Sequence, residues 1–459
     1  MRSFFYSLRP CRARDITVVR PLIRELARVS CNCRDGRRSV NCRCKSFQDR
    51  CHQCRTALLN GGKTALPNGG KQSKKWEWET VMKMRAAVLR QSGATAPFEK
   101  SRPISVEEVE LSKPEAGEIL VRVIGAGLCH SDLSVINGNR PRPVPLVLGH
   151  EGAGEVVEIG PGIRDLKAGD PVVFQFSANC GRCRRCLEGR PQICEVNAVA
   201  RAKGDLMGGG RRLKSASGES LAHHSGVSCF AEYAVIDRGS CVKVDDSIPL
   251  EKAAIFGCAV MTGVGAVLNT ARIRPGDSVA VIGLGGVGLN GLLGAKVAGA
   301  GAIIAIDLND DRLGLARQLG ATHTINAKDP TLAEQVRDIT HGGVDFAFDF
   351  AGAIPAMETG YGVLRAGGEL VVAGLAPADS TFTFTPPAMV SDEKAIRGSY
   401  MGGCVPVRDI PRYIDLYQQG RLPIDALISR SVGFDEINEG FDRLADGSAI
   451  RQILMPHAA

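Results

Sequence analysis

Four cysteines, Cys180, Cys183, Cys186 and Cys194, fall within one stretch, NCGRCRRCLEGRPQIC, at spacings of three, three and eight. A loop of this kind can wrap a single tetrahedral ion. Zinc takes thiolates at about 2.3 Å, and four of them close its shell against substrate. Cysteines this close together in a long, glycine-rich chain point to a metal rather than to a disulfide cluster. Such a site is a staple, so reactive chemistry must lie elsewhere. Candidates are Cys129 in GLCHSD, His150 in LGHEGAGEVVEIG and Cys258 in FGCAVMTG. Two thiolates and one imidazole would leave a fourth position on zinc for water or substrate. Spacing alone does not join Cys258 to the other two, and a lone Cys is ordinarily a small buried hydrophobe.

A second chemical signal is the turn GLGGVG, with Gly283, Gly285 and Gly288 in a G-x-G-x-x-G pattern that also contains Gly286 and Val287. The first glycine makes the tight turn, the second lets a pyrophosphate approach the backbone, and the third lets a helix pack close to the strand. The helix N-terminus then offers free N–H groups and a positive dipole end to phosphates. Asp307 follows Gly288 by 19 residues, at the end of the next apolar run. Its carboxylate would accept hydrogen bonds from ribose hydroxyls and repel a 2′-phosphate, which predicts NAD over NADP.

These residues need two kinds of scaffold. Residues 85–90, 119–127 and 152–160 are short β-branched runs between Gly and Pro turns, which predict the strands of a mostly β lobe. Residues 195–228 lack periodicity and read as a long loop. After Cys258 the pattern changes. Strands are expected at 278–285, 302–307, 322–326, 344–350 and 369–375, with helices over 286–300, 312–320, 331–339 and 355–364. That alternation implies an α/β fold with a doubly wound parallel sheet.

The two cysteine-containing signatures, the glycine turn and the C-terminal SAIRQIL segment together resemble the zinc-dependent medium-chain alcohol dehydrogenases, over about residues 84–459. The resemblance implies a GroES-like catalytic domain (84–259 and 399–459) around a Rossmann NAD-binding domain (260–398). It implies two zinc ions per subunit, a catalytic one on Cys129, His150 and Cys258 and a structural one on the four clustered cysteines. Asp132 and Glu151 match carboxylates behind the catalytic ligands. His130 and Arg451 match groups that contact the pyrophosphate, Arg312 a cation beside the adenosine ribose, and Thr262 and Val287 residues lining the nicotinamide. The implied reaction is oxidation of a primary or secondary alcohol by hydride transfer to NAD, with Ser131 taking the alcohol proton. Members with a loop as long as 195–228 are generally homodimers. One departure is Ser134, where many members carry a proton-relaying histidine. The glutathione-dependent formaldehyde dehydrogenases are an alternative, but the arginine and the acidic residue of that class would fall at Ala198 and Arg140, although Arg201 lies close.

The net charge of +8 belongs to the first 80 residues, which hold 18 Lys/Arg and 6 Asp/Glu, whereas the remainder holds 39 and 43. The body therefore carries no charge signature of nucleic-acid binding. No apolar run is as long as a membrane span requires. Residues 1–83 read as an extension with linker composition over 60–75 and no sustained period, best explained as disordered or as an upstream start before Met82. Its Arg-rich, acid-poor beginning has the composition of a mitochondrial presequence, and its seven cysteines would suit a metal or interaction module. Zinc thiolates in the body favour the cytoplasm. Cys229, Cys241 and Cys404 are expected to be buried thiols.

Overall fold

The computed structural model describes residues 81–458, together with the backbone of residues 32–35 and 38–41. The chain divides into Met1–Lys75 and Trp76–Ala459. In the first unit, Asn32–Asp35 and Arg38–Asn41 pair as an antiparallel ladder, where the sequence reading expects no strand. The other readings of the extension lie outside the described residues.

In the second unit the first strand, β1 (Val81–Leu89), starts inside the expected extension because Val81–Lys83 pair in register with Ser112–Glu110 of β2 (Ile104–Ser112). Next come β3 (Glu118–Gly127), α1 (His130–Ile136), β4 (Leu146–Val147), β5 (Gly152–Ile159) and β6 (Pro171–Phe174). The expected long loop over 195–228 is instead largely built. It contains α2 (Glu195–Lys203), β7 (Leu213–Ser215) and β8 (Ser220–His223). These elements are too short for a period to show in sequence. The two strands are held by ladders to distant residues, Leu213 to Leu111 and Ala222 to Leu146, and close a barrel of order β8-β4-β1-β2-β7. A barrel leaves no open edge to pair with another chain. β9 (Tyr233–Asp237) and β10 (Cys241–Lys243) add to the lobe's second sheet, which two strands from the C-terminal end of the chain complete.

The chain then passes through α3 (Ala259–Gly265) into alternating elements: β11 (Ser278–Ile282), α4 (Gly286–Ala298), β12 (Ala302–Asp307), α5 (Asp310–Leu319), β13 (His323–Asn326), α6 (Leu332–Thr340), β14 (Val344–Asp349), α7 (Ile354–Gly362), β15 (Leu364–Val372) and β16 (Ala395–Gly398). The six strands form one parallel sheet of order β13-β12-β11-β14-β15-β16. The central runs of β11, β12 and β14 are largely buried on both faces, as helices on both sides require, whereas the edge strands β13 and β16 are partly exposed. After α8 (Pro406–Gln418), β17 (Ile428–Val432) and α9 (Ile437–Ala445), the last strand β18 (Arg451–Leu454) joins β3 of the first lobe, with Ile453 opposite Gly127. One apolar core runs across both lobes, from Val173 through Val260 to Val281 and Leu289. Among the described residues no single helix is long and apolar enough to cross a membrane. The bent pair Leu250–Gly257 and Ala259–Ala271 passes that test jointly, but Ile255, Phe256, Val260 and Val264 lie in this core.

Candidate functional site

Cys129 ends the segment after β3 and caps α1, His150 precedes β5, and Cys258 caps α3. These elements are far apart in sequence, yet donor atoms of Cys129, His150, Glu151 and Cys258 all lie within 4.8 Å of one another. Cys258 Sγ is 3.6 Å from His150 Nε2. All four residues are buried. The two sulfurs compete for one proton: a hydrogen bond from Cys258 holds Cys129 well below the ordinary thiol value, and the same contact pushes Cys258 well above it. A divalent cation accepting both sulfurs as thiolates resolves that conflict. The donor set therefore fits zinc, with the soft sulfurs and the imidazole such an ion takes.

Behind these donors lies Asp132, fully buried in α1. Its Oδ1 accepts from His150 Nδ1 at 3.2 Å and from the Gly149 backbone N–H at 3.2 Å. Burial opposes a charge on the His150 ring, but the Asp132 carboxylate outweighs it and holds the imidazole pKa well above its ordinary value. The bond fixes Nδ1 as the protonated nitrogen and turns the Nε2 lone pair toward the thiols. Glu151 is pushed up to about 7 by burial, against the pull of Arg451, whose Nη1 lies 3.3 Å from Glu151 Oε2.

The four clustered cysteines converge separately. Cys183 Sγ lies 3.5 Å from Cys186 Sγ and 3.9 Å from Cys194 Sγ, and donor atoms of all four lie within 4.8 Å. Sulfurs on a tetrahedron with bonds of about 2.3 Å stand about 3.8 Å apart. All are free thiols. Cys229, Cys241 and Cys404 are also free and buried and belong to neither donor set, although Cys229 Sγ donates to the Glu151 carbonyl at 3.4 Å.

A cavity of about 580 Å³ connects the first cluster to the glycine turn. Cys129 and Cys258 line it with His130, Ser131 and Thr262, and Gly283, Gly285, Gly286, Val287, Asp307, Arg312 and Arg451 line the remainder. The turn is built as its glycines require. Gly283 has φ +86°, and a Cβ there would meet Ala351 N at 2.7 Å; a Cβ at Gly288 would meet Gly283 O at 1.7 Å. Gly285 has nothing within 4 Å on that side, so the backbone is open to a ligand. A Cβ at Gly286 would instead strike Arg451 Nε at 2.1 Å. That guanidinium packs on the first turn of α4, and its Nε is a buried donor without a partner among the described residues. Asp307 accepts the backbone N–H groups of Leu284 (2.6 Å) and Asn309 (2.9 Å), which aims its carboxylate at the turn. Arg312 stands 4.0 Å from it. The open face of Gly285, the α4 N-terminus and the orphaned Arg451 donor fit a dinucleotide pyrophosphate.

Ser131 faces the cavity from α1. Ser134, one turn on, donates back to the His130 carbonyl at 2.8 Å within its own helix. Three neighbours escape the sequence reading. His224 Nδ1 lies 2.9 Å from Asp132 Oδ1, off a good hydrogen-bond line, with its ring 5.2 Å from that of His150. Phe176 meets the His150 ring edge-on at 5.4 Å, and Tyr400 meets Phe176 at 5.9 Å. The pair His223–His224, in a chain with 8 histidines, is the one signal that could have flagged the first.

The fold and this arrangement define a zinc-binding dehydrogenase. Residues 115–246 match the alcohol dehydrogenase GroES-like domain, and residues 286–419 match the zinc-binding dehydrogenase domain. An alcohol dehydrogenase zinc-binding domain protein from Burkholderia ambifaria is 37% identical, with a TM-score of 0.77 over 82% of this chain and 100% of its own. Benzyl alcohol dehydrogenase from Acinetobacter calcoaceticus is 35% identical, with a TM-score of 0.76 over 82% and 99%. A zinc-binding dehydrogenase structure from Sinorhizobium meliloti 1021 bound to NADP is 25% identical, with a TM-score of 0.66 over 82% and 100%. The chain belongs to the zinc-dependent medium-chain alcohol dehydrogenase family.

Proposed function

We propose that this protein is an NAD-linked alcohol dehydrogenase that interconverts a primary or secondary alcohol and its aldehyde or ketone. The reading rests on one observation: the Cys129, His150 and Cys258 donors converge, and the two cysteines line a cavity that extends to a glycine turn overlooked by a carboxylate. In this reading Cys129, His150 and Cys258 hold the reactive zinc, and Cys180, Cys183, Cys186 and Cys194 hold a second. Zinc supplies a Lewis acid for the alcohol oxygen and NAD the hydride acceptor. Asp132 keeps the His150 ring in one tautomer. The Ser131 hydroxyl accepts the alcohol proton at Oγ. Because Ser134 is spent on the His130 carbonyl, the proton leaves through solvent rather than an imidazole at that position. Phe176 and Tyr400 narrow the space beside Ser131 and keep water from the reacting carbon. Asp307 meets the adenosine ribose hydroxyls and disfavours a 2′-phosphate, and a homodimer in the cytoplasm is the setting proposed.

The test combines metal analysis with turnover of primary, secondary and benzylic alcohols against NAD and NADP, with hydroxymethylglutathione as a further arm. Two zinc ions per subunit and NAD-linked turnover are expected. A protein that retains zinc yet oxidises none of these alcohols with either nucleotide refutes the proposal.

A further inference from the structure

Beside the reactive cluster a recess of about 50 Å³ opens between α1, α2 and the segment before α8. His150, Phe176 and Ser131 line it together with Arg140, Arg142, Arg201 and Tyr400, and Ser131, Arg140, Phe176 and Tyr400 also line the larger cavity, so the two spaces adjoin. All three arginines are half-buried, and none forms an ion pair with a carboxylate among the described residues. Nearby arginines behave otherwise. Arg211 pairs with Asp205 at 3.2 Å, and Arg212 with Glu118 and Glu115 at 2.7 Å each. Arg201 is also held in place: it donates to the Tyr400 hydroxyl and stacks 5.6 Å from the centre of that ring.

Half-buried like charges are costly unless something neutralises them. Burial and the charges of Arg201 and Arg140 hold the Arg142 guanidinium below its ordinary value, which marks the three as mutually repelling. Guanidiniums present rigid donor forks matched to carboxylate and phosphate oxygens. No residue of the Gly283–Gly288 turn lines this recess, so the dinucleotide's own phosphates have their place elsewhere. The uncompensated charge thus faces whatever sits next to Ser131 and His150.

We infer that the alcohol oxidised here carries an oxyanion, a carboxylate or a phosphate, bound by Arg140, Arg142 and Arg201 in this recess. The inference rests on the proposed dehydrogenase reading and names its substrate class. Phe176 and Tyr400 then line the apolar spacer between hydroxyl and anion. The anion turns the substrate so that its hydroxyl end points to Ser131.

The experiment uses the full zinc-loaded chain with NAD and pairs each acid with its neutral ester: 4-(hydroxymethyl)benzoate, 6-hydroxyhexanoate and 10-hydroxydecanoate against their methyl esters, with 6-hydroxyhexyl phosphate as the phosphate arm. At least one anionic substrate is expected to exceed its neutral partner in kcat/KM by on the order of 10- to 100-fold, the range of one or two charge-assisted contacts. The preference should shrink as ionic strength rises. In Arg142→Gln and Arg201→Gln the anion-to-neutral ratio should fall toward one, a readout that a merely structural role for these residues would not move. Turnover of the esters with no anion preferred overturns the inference while leaving the dehydrogenase reading intact. So does a preference that survives both substitutions. Absence of turnover on every alcohol sinks the dehydrogenase reading and this inference with it.

Discussion

Replacing Asp132 by Asn tests whether the buried carboxylate governs the metal centre through the His150 ring. Asn keeps an oxygen at Oδ1, so the Gly149 N–H and the His150 Nδ1–H retain an acceptor. What is lost is the negative charge facing His150 and His224. A hydrogen bond to a charged partner contributes about 1.5–3 kcal/mol and a neutral one about 0.5–1.5. The difference, about 1–1.5 kcal/mol, is roughly a tenfold weakening of zinc binding, at the low end of the 10- to 100-fold range for partners of metal-ligating histidines. Asp132→Ala should cost more, because Gly149 N–H and His150 Nδ1 would both be left without an acceptor in a buried site. The assay is competition for zinc with a chelator of known affinity, read by metal content alongside turnover. Weakened affinity at one of two sites is expected, with the four-cysteine site unchanged. Equal zinc retention by the Asn variant and the parent would refute the reasoning, as would loss confined to the four-cysteine site.

Asp307→Ser should shift the NADP-to-NAD ratio of kcat/KM upward by about tenfold or more, since the carboxylate that would repel a 2′-phosphate is removed; steady-state kinetics with both nucleotides decide it. Arg212→Met should destabilise the fold by about 3–5 kcal/mol in urea titrations, because it strands the buried Glu118 carboxylate that Arg212 holds through Nε at 2.9 Å and Nη2 at 2.7 Å. His223 supplies a pH test. Burial, then the charges of Arg212 and Arg211, push its pKa down to about 3. An unfolded chain takes up a proton near pH 6.5 that the folded chain refuses, so stability is fully present above about 6.5 and falls as pH drops toward 3. Its contribution between pH 6.5 and 5 is a loss of about 2 kcal/mol. His223→Gln, which can still accept the Arg212 N–H that Nε2 accepts at 3.1 Å, should flatten that part of the profile.

The parallel sheet was legible because its strands are continuous apolar runs punctuated by Gly and spaced by helical segments. Helix α4 spans Gly286–Ala298, where the spacing placed a helix over 286–300. The segment over 195–228 was not legible. Helix α2 is only 9 residues long, and β7 and β8 exist through ladders to β2 and β4, contacts that no local pattern records. The same limit applies to the cleft. Cysteine spacing announced the four-thiol loop from a single stretch. The union of Cys129, His150 and Cys258 needed the fold, or the family resemblance, because three separate elements deliver them. Arg142 and Tyr400 lay beyond reach for another reason: an arginine in a Pro-rich turn carries no sign of whether an acid will stand beside it.

Cys194 has a double position. It belongs to the four-thiol cluster and is also the residue that opens α2, whose last turn carries Arg201. Asn197 in the same helix donates to Ser177 Oγ at 3.3 Å, and Ser177 Oγ donates in turn to Gln192 O at 3.0 Å, tying helix and loop into one lever. Disordering this knot, whether by demetallation or by oxidation of the partly exposed Cys183, is expected to tilt the guanidinium at the far end before it reaches the buried Cys129–His150–Cys258 donors. A sample ageing in air should therefore grow less discriminating among alcohols before it grows slower, and the drift in preference would date the damage.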